Sequence, residues 1–252
     1  MNFHTFGEYE EGRKVMMLLH GVFMPWQIWE DTAAYFSEKY YVVVPELDGH
    51  TQEEVSTFQS VEDEALQIKE YAKENLGGRI DILCGLAMGG RIAATLAGMP
   101  KMRVDYLILD GVQLQKVPAL LMGVMRMNYR NIHKGSKNRD EKVLKTCAKE
   151  FLPDRYLGNY LQMIDIMEEK SVNNIADSVF REFYYQAYSQ NLKILYIHGT
   201  KGNESVSKKC AQKMKESNPQ TEIRCHEGYG QCQMAIFEGP KWIQEVESFI
   251  AE

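Results

Sequence analysis

Apolar residues in this chain come in short unbroken runs, each followed by a stretch whose apolar positions recur at helical spacing. The runs KVMMLLH (14–20), YYVVVPE (40–46), RIDILCG (79–85), VDYLILDG (104–111), KILYIHG (193–199) and TEIRCHE (221–227) read as strands. They are continuous rather than alternating, the pattern of strands covered on both faces. The segments WQIWEDTAAYFSEK (26–39), 89–98 and VSKKCAQKMKES (206–217) read as helices. SVEDEALQIKEYAKENL (60–76) places apolar residues at 61, 65, 68 and 72, and Ser60 with Asp63 can cap its start. GPKWIQEVESFIAE closes the chain as a helix with Pro240 in its first turn. The alternation predicts an α/β fold: a mostly parallel central sheet with helices on both faces. It breaks between 112 and 192, where helical periods run around 115–130, 140–151, 156–169 and 172–188. We read 1–111 and 193–252 as the core and 112–192 as a helical cap insertion that shares it.

Composition narrows the partners. The 252 residues suffice for one sizeable core. The net charge of −6 is spread in mixed runs with no basic stripe, which argues against nucleic acid and an anionic membrane. The first residues are polar and acidic, unlike a signal peptide, and no run of about 18 apolar residues occurs. A cytoplasmic location is expected. Cys84, Cys147, Cys210, Cys225 and Cys232 form no CxxC pair, the usage of reduced thiols. Cysteines and histidines do not cluster at metal-ligand spacing, and there is no P-loop or dinucleotide fingerprint. No cofactor or metal is expected; oligomeric state is not readable.

The chemistry concentrates in one string, Gly85-Leu86-Ala87-Met88-Gly89, followed by Gly90 and set between a strand and a helix. Small residues suit a turn too tight for side chains. This string resembles the G-x-S-x-G nucleophile elbow of the α/β-hydrolase fold, in its small capped members, and the resemblance extends over nearly the whole chain. His20-Gly21-Val22-Phe23 resembles the loop that gives that fold one oxyanion-hole amide, here Val22 or Phe23, the second being Met88. Asp48-Gly49-His50 resembles its turn after the next strand, and His20 and His50 are read as loop-pinning. By the same resemblance the catalytic base maps to Gln231, after Gly230, with His226 read as a structural histidine. The acid maps best to Glu204, with Asn203 or Asp110 as alternatives.

Two positions depart from the pattern. Acyl transfer needs a nucleophile and a base to take its proton. Ala87 has no hydroxyl, and Gln231 does not titrate. The resemblance therefore implies a disabled form of a serine hydrolase for small to medium carboxylic esters with an apolar part. The alternative is a natural non-catalytic protein that binds a small apolar ligand or a protein partner. Met24, Trp26, Trp29, Met122, Met125 and Tyr184 are the expected pocket residues, from their place after the oxyanion loop or in the cap.

Overall fold

The computed structural model describes residues 1–10 and 12–251. Its seven strands are β1 (Asn2–Phe6), β2 (Val15–Leu19), β3 (Tyr41–Glu46), β4 (Arg79–Leu86), β5 (Arg103–Asp110), β6 (Lys193–His198) and β7 (Thr221–Cys225). They form one sheet in the order β1-β3-β2-β4-β5-β6-β7, parallel except for β1. Six strands match the apolar runs. The sequence reading does not anticipate β1, because its residues are at most half-buried and lie in a stretch that reads as polar and acidic. It pairs antiparallel with β3, Asn2 opposite Glu46 and Phe6 opposite Val42, and so closes one sheet edge.

The helices that cover the sheet follow from their apolar faces. They are α1 (Glu30–Phe36), preceded by a 3-10 turn at Trp26–Trp29, then α2 (Val61–Asn75) and α3 (Met88–Ala97). The cap helices are α4 (Ala119–Lys137), α5 (Glu141–Glu150), α6 (Leu157–Ile166) and α7 (Glu169–Val179). The chain ends with α8 (Glu204–Ser217), a short α9 (Gln233–Phe237) and α10 (Gly239–Ile250). Ser60 caps α2 as expected, its Oγ accepting the Asp63 N–H at 3.0 Å. The α2 residues Val61, Ala65, Ile68 and Ala72 are buried against one side of the sheet with Leu83 and Leu107. The other side packs Ile82, Cys84 and Ile108 beneath Trp29, Trp242, Tyr160 and Met163, so cap helix α6 belongs to the main core. None of the described helices is long and apolar enough to cross a membrane.

The cap differs from its prediction at its return. A helix over 172–188 was expected, but α7 stops at Val179 and residues 182–188 run without helix. Tertiary hydrogen bonds replace helical ones there. Phe180 O accepts Val117 N–H at 3.0 Å, the Tyr185 hydroxyl donates to Leu114 O at 3.0 Å, and Tyr188 N–H donates to Asn218 Oδ1 at 2.8 Å. Arg91, buried on α3, donates to Arg181 O at 2.6 Å and to Gln113 O at 3.4 Å. One guanidinium thus ties both ends of the insertion to the helix that begins at Met88. Because β2, β4, β5 and β6 run parallel, their C-terminal ends place His20, Ala87, Gly111 and Gly199 along one edge of the sheet.

Candidate active site

The corner between β4 and α3 admits one main-chain path. A Cβ on Gly85 would lie 2.4 Å from the Gly90 nitrogen, and one on Gly89 would lie 2.5 Å from the carbonyl oxygens of Leu19 and His20. No side-chain rotation relieves a clash with backbone, so glycine alone lets α3 come this close to β2 and β4. The turn concentrates its strain on Ala87, at φ 45° and ψ −108°. L residues rarely occupy that region. Two hydrogen bonds hold it there: Ala87 N–H donates to Asp110 O at 3.0 Å, and Ala87 O accepts Arg91 N–H at 3.2 Å. The methyl group is partly exposed, and a Cβ on Gly21 would lie 3.5 Å from it.

The loop after β2 therefore faces this corner. Phe23 sits in the left-handed region at φ 57°, and its N–H donates to His50 Nε2 at 3.1 Å. Val22 N–H makes no hydrogen bond among the described residues. Neither does Met88 N–H, one of the first-turn amides that a helix leaves unpaired. One open amide lies beside Gly21 and the other follows Ala87. Both histidines brace this loop. His20 Nε2 accepts Leu47 N–H at 3.3 Å, and its Nδ1 donates to Gly21 O at 2.9 Å. His50 uses its other nitrogen on Asp48 O at 3.2 Å. Burial drives the His50 pKa down to about 4. Burial, with His50 nearby, drives His20 down to about 3. Both are neutral imidazoles at neutral pH.

Gln231 lies in the turn between β7 and α9, and its Nε2 donates to Gly111 O at 2.6 Å. The next residue, Cys232, takes a left-handed conformation at φ 58° and donates its thiol to Asp110 O at 3.2 Å, beside the Ala87 backbone. The elbow and the Gln231 loop thus converge on the same pair, Asp110 and Gly111. The Cys232 thiol is buried, and burial, then Asp110 and Glu204, push its pKa well up. A thiol so placed is not a nucleophile. His226 stays at the end of β7, its N–H on His198 O at 2.9 Å and its ring near Glu245.

The two acids are held differently. Glu204 opens α8 and is 1% exposed. Its Oε2 accepts Gly199 N–H at 2.6 Å and its Oε1 accepts the Ser207 hydroxyl at 2.8 Å, so the carboxyl ties the β6–α8 loop to the first turn of α8. Asn203 makes no capping bond to α8. Asp110 ends β5 and is 3% exposed, and its Oδ2 has no hydrogen-bond partner among the described residues. Trp242 Nε1 faces it without closing a bond. Burial, and then the charge of Glu204, push the Asp110 pKa up to about 8.

The expected pocket residues scatter. Met24 is buried in the core, and Met122 and Met125 lie on the half-buried side of α4. Three depart from the pocket expectation. Trp29 is buried with its ring centre 4.9 Å from that of Trp242. Trp26 stacks on His4 at 3.8 Å, by the β1 edge, because the unforeseen strand supplies it a partner. Tyr184 is 81% exposed, on the cap return that does not form a helix. The residue that reaches the site from the cap is Tyr129, edge-on to Phe23 at 5.5 Å and tilted against Phe180 at 5.6 Å. Its spacing from Met122 and Met125 continues one helical stripe, which is the signal that marks it.

No family model and no curated sequence matches the chain. Solved structures do. A Desulfitobacterium hafniense protein described as an alpha/beta hydrolase family member superposes with a TM-score of 0.79 at 17% identity, over 99% of this chain and 100% of that one. A thermophilic esterase from Thermogutta terrifontis gives 0.75 at 16%, over 99% and 92%. The enol-lactonase from Burkholderia xenovorans gives 0.76 at 16%, over 100% and 96%. At such identity the likeness is one of fold, and the chain has the α/β-hydrolase fold.

Proposed function

We propose that this α/β-hydrolase-fold chain carries the main-chain frame of a serine hydrolase without its proton-transfer chemistry, and that it does not turn over esters as it stands. The observation that carries this reading is Ala87. Its backbone is held in a strained conformation between two open amides, Val22 and Met88, and its side chain ends in a methyl group. That arrangement suits a hydroxyl attacking a carbonyl whose oxygen is received by the two amides. In a complete centre, a base at 231 takes the hydroxyl proton during attack and returns it to the departing alcohol. Water then repeats the cycle on the acyl group and releases the acid. Gln231 can take no proton, and its amide is already given to Gly111. Removing nucleophile or base from such a unit costs on the order of 10⁶ in turnover.

The substrate class we assign to the complete centre is a small to medium carboxylic ester with an apolar part. Phe23, Met24, Met88 and Tyr129 support it, since apolar side chains gather around the corner. The test is the double substitution Ala87→Ser with Gln231→His. It is expected to hydrolyse short aryl esters and to be labelled covalently by a fluorophosphonate, while either single change stays near background. A folded double variant that neither labels nor hydrolyses any member of an ester panel refutes the proposal.

A further inference from the structure

We infer that Met24 sets the length of the acyl group this centre accepts, its own thioether filling the space beside Ala87 that a longer chain needs; the inference rests on the hydrolase reading above. Three observations carry it. A Cβ on Gly21 would lie 2.9 Å from both Met24 Sδ and Met24 Cε and 3.5 Å from the Ala87 methyl, so one point touches the end of Met24 and the apex of the elbow. Gly21 itself lies outside the left-handed region, so room and not conformation calls for a glycine there. The chain also folds Met24 back over that glycine. Met24 N–H donates to Gly21 O at 3.4 Å, closing a turn whose third residue, Phe23, is strained at φ 57°. His50 Nε2 holds Phe23 in place by accepting its N–H at 3.1 Å.

The order of the sheet says which part of a substrate meets Met24. β4 lies between β2 and β5, so Ala87 has the Gly21 loop on one side and Gly111 on the other. Gln231 is on the Gly111 side, through its bond to Gly111 O. A base at 231 has to return a proton to the departing alcohol, which places that alcohol towards β5. The acyl chain is left facing β2, where Met24 ends. Towards the cap, Phe23 is edge-on to Tyr129. An unbranched thioether fills an irregular gap of this kind. A long acyl chain has to displace the buried Met24 side chain, and a short one does not. The centre is therefore one for short acyl groups.

The inference is tested in the Ala87→Ser, Gln231→His background. Adding Met24→Ala is expected to raise kcat/KM for a hexanoyl ester relative to the acetyl ester of the same phenol by ~10-fold or more. Adding Met24→Leu, of similar volume, should keep the ratio of the double variant. Along a series of acetates of rising alcohol length, Met24→Ala should leave the preference unchanged. An acyl ratio that Met24→Ala does not move, or a shift that follows the alcohol instead, overturns the inference. Inactivity of the double variant itself counts against the hydrolase reading, and the space is then read by binding. In the otherwise unaltered chain, labelled at its alanine methyls and assigned with Ala87→Gly, methyl hexanoate is expected to shift the Ala87 resonance saturably. Met24→Ala should need ~10-fold or more less ester for this than the parent; equal affinity overturns the inference. If Met24→Ala does not fold, the unaltered chain decides. A methyl–methyl NOE between Met24 Cε and Ala87 Cβ is expected there, and its absence overturns the inference.

Discussion

Replacing Ala87 with glycine should make this protein more stable, against the usual effect of glycine. Holding an L residue in a sparsely populated backbone region costs ~1–3 kcal/mol, and Ala87 sits at φ 45°, ψ −108°. Glycine occupies that region freely, because its mirror image is an allowed one. Ala87 is also the N-cap of α3, with no side-chain cap bond, and glycine outranks alanine there. Against this stand ~0.5–1 kcal/mol for the wider freedom of glycine in the unfolded chain. A further loss of up to ~0.8 kcal/mol comes from the partly buried methyl. The balance is a gain of about 1 kcal/mol, or about 2–4 °C in Tm for a chain of this size. The control is Ala34→Gly at an exposed site in α1, which should lose about 1 kcal/mol. Calorimetry and urea titration of both variants decide the matter. If Ala87→Gly loses as much as Ala34→Gly, the corner is unstrained and Ala87 is not the apex of an elbow.

Two further outcomes follow from the buried polar groups. Arg91→Met removes the donors to Arg181 O and Gln113 O, at a cost of about 2 kcal/mol; amide exchange across 180–185 should quicken, and protection equal to the parent's would show that the guanidinium does not hold the cap return. His50 stays neutral in the fold to about pH 4 but titrates near 6.5 when unfolded. The unfolded chain thus binds the extra proton first, so this stabilisation is present above pH 6.5 and is lost as pH falls towards 4, about 3 kcal/mol in all. His50→Gln should remove that part of the Tm–pH slope, and an unchanged slope would mean that the imidazole titrates alike in the folded and unfolded chain.

Strands buried on both faces were legible because burial leaves little choice but apolar residues, and the glycines of the corner because backbone contact excludes every other side chain. Edge strand β1 was not, since half-exposed residues carry a mixed pattern. The cap return reads as helix because the tyrosines at 185 and 188, three apart, imitate a helical face. In fact their backbone and hydroxyl bonds reach Leu114, Asn218 and, through Tyr188, Ala94. Within the site, sequence left Val22 and Phe23 as equals. Only the fold brings His50 Nε2 to Phe23 N–H, a contact across 27 positions that no local pattern encodes. Spacing maps the acid to Glu204, with Asn203 or Asp110 as alternatives, and spacing does not report that the Glu204 carboxyl accepts Gly199 N–H and the Ser207 hydroxyl.

The conformation at Ala87 bears on the evolutionary reach of the chain. Codons for alanine and serine differ by one base, as do those for glutamine and histidine. The part of an active centre that is hard to acquire by point mutation is the arrangement of its polypeptide, and the proposed function credits this chain with that part. On the proposed function, the two side chains that a serine esterase needs at 87 and 231 are each one base change away.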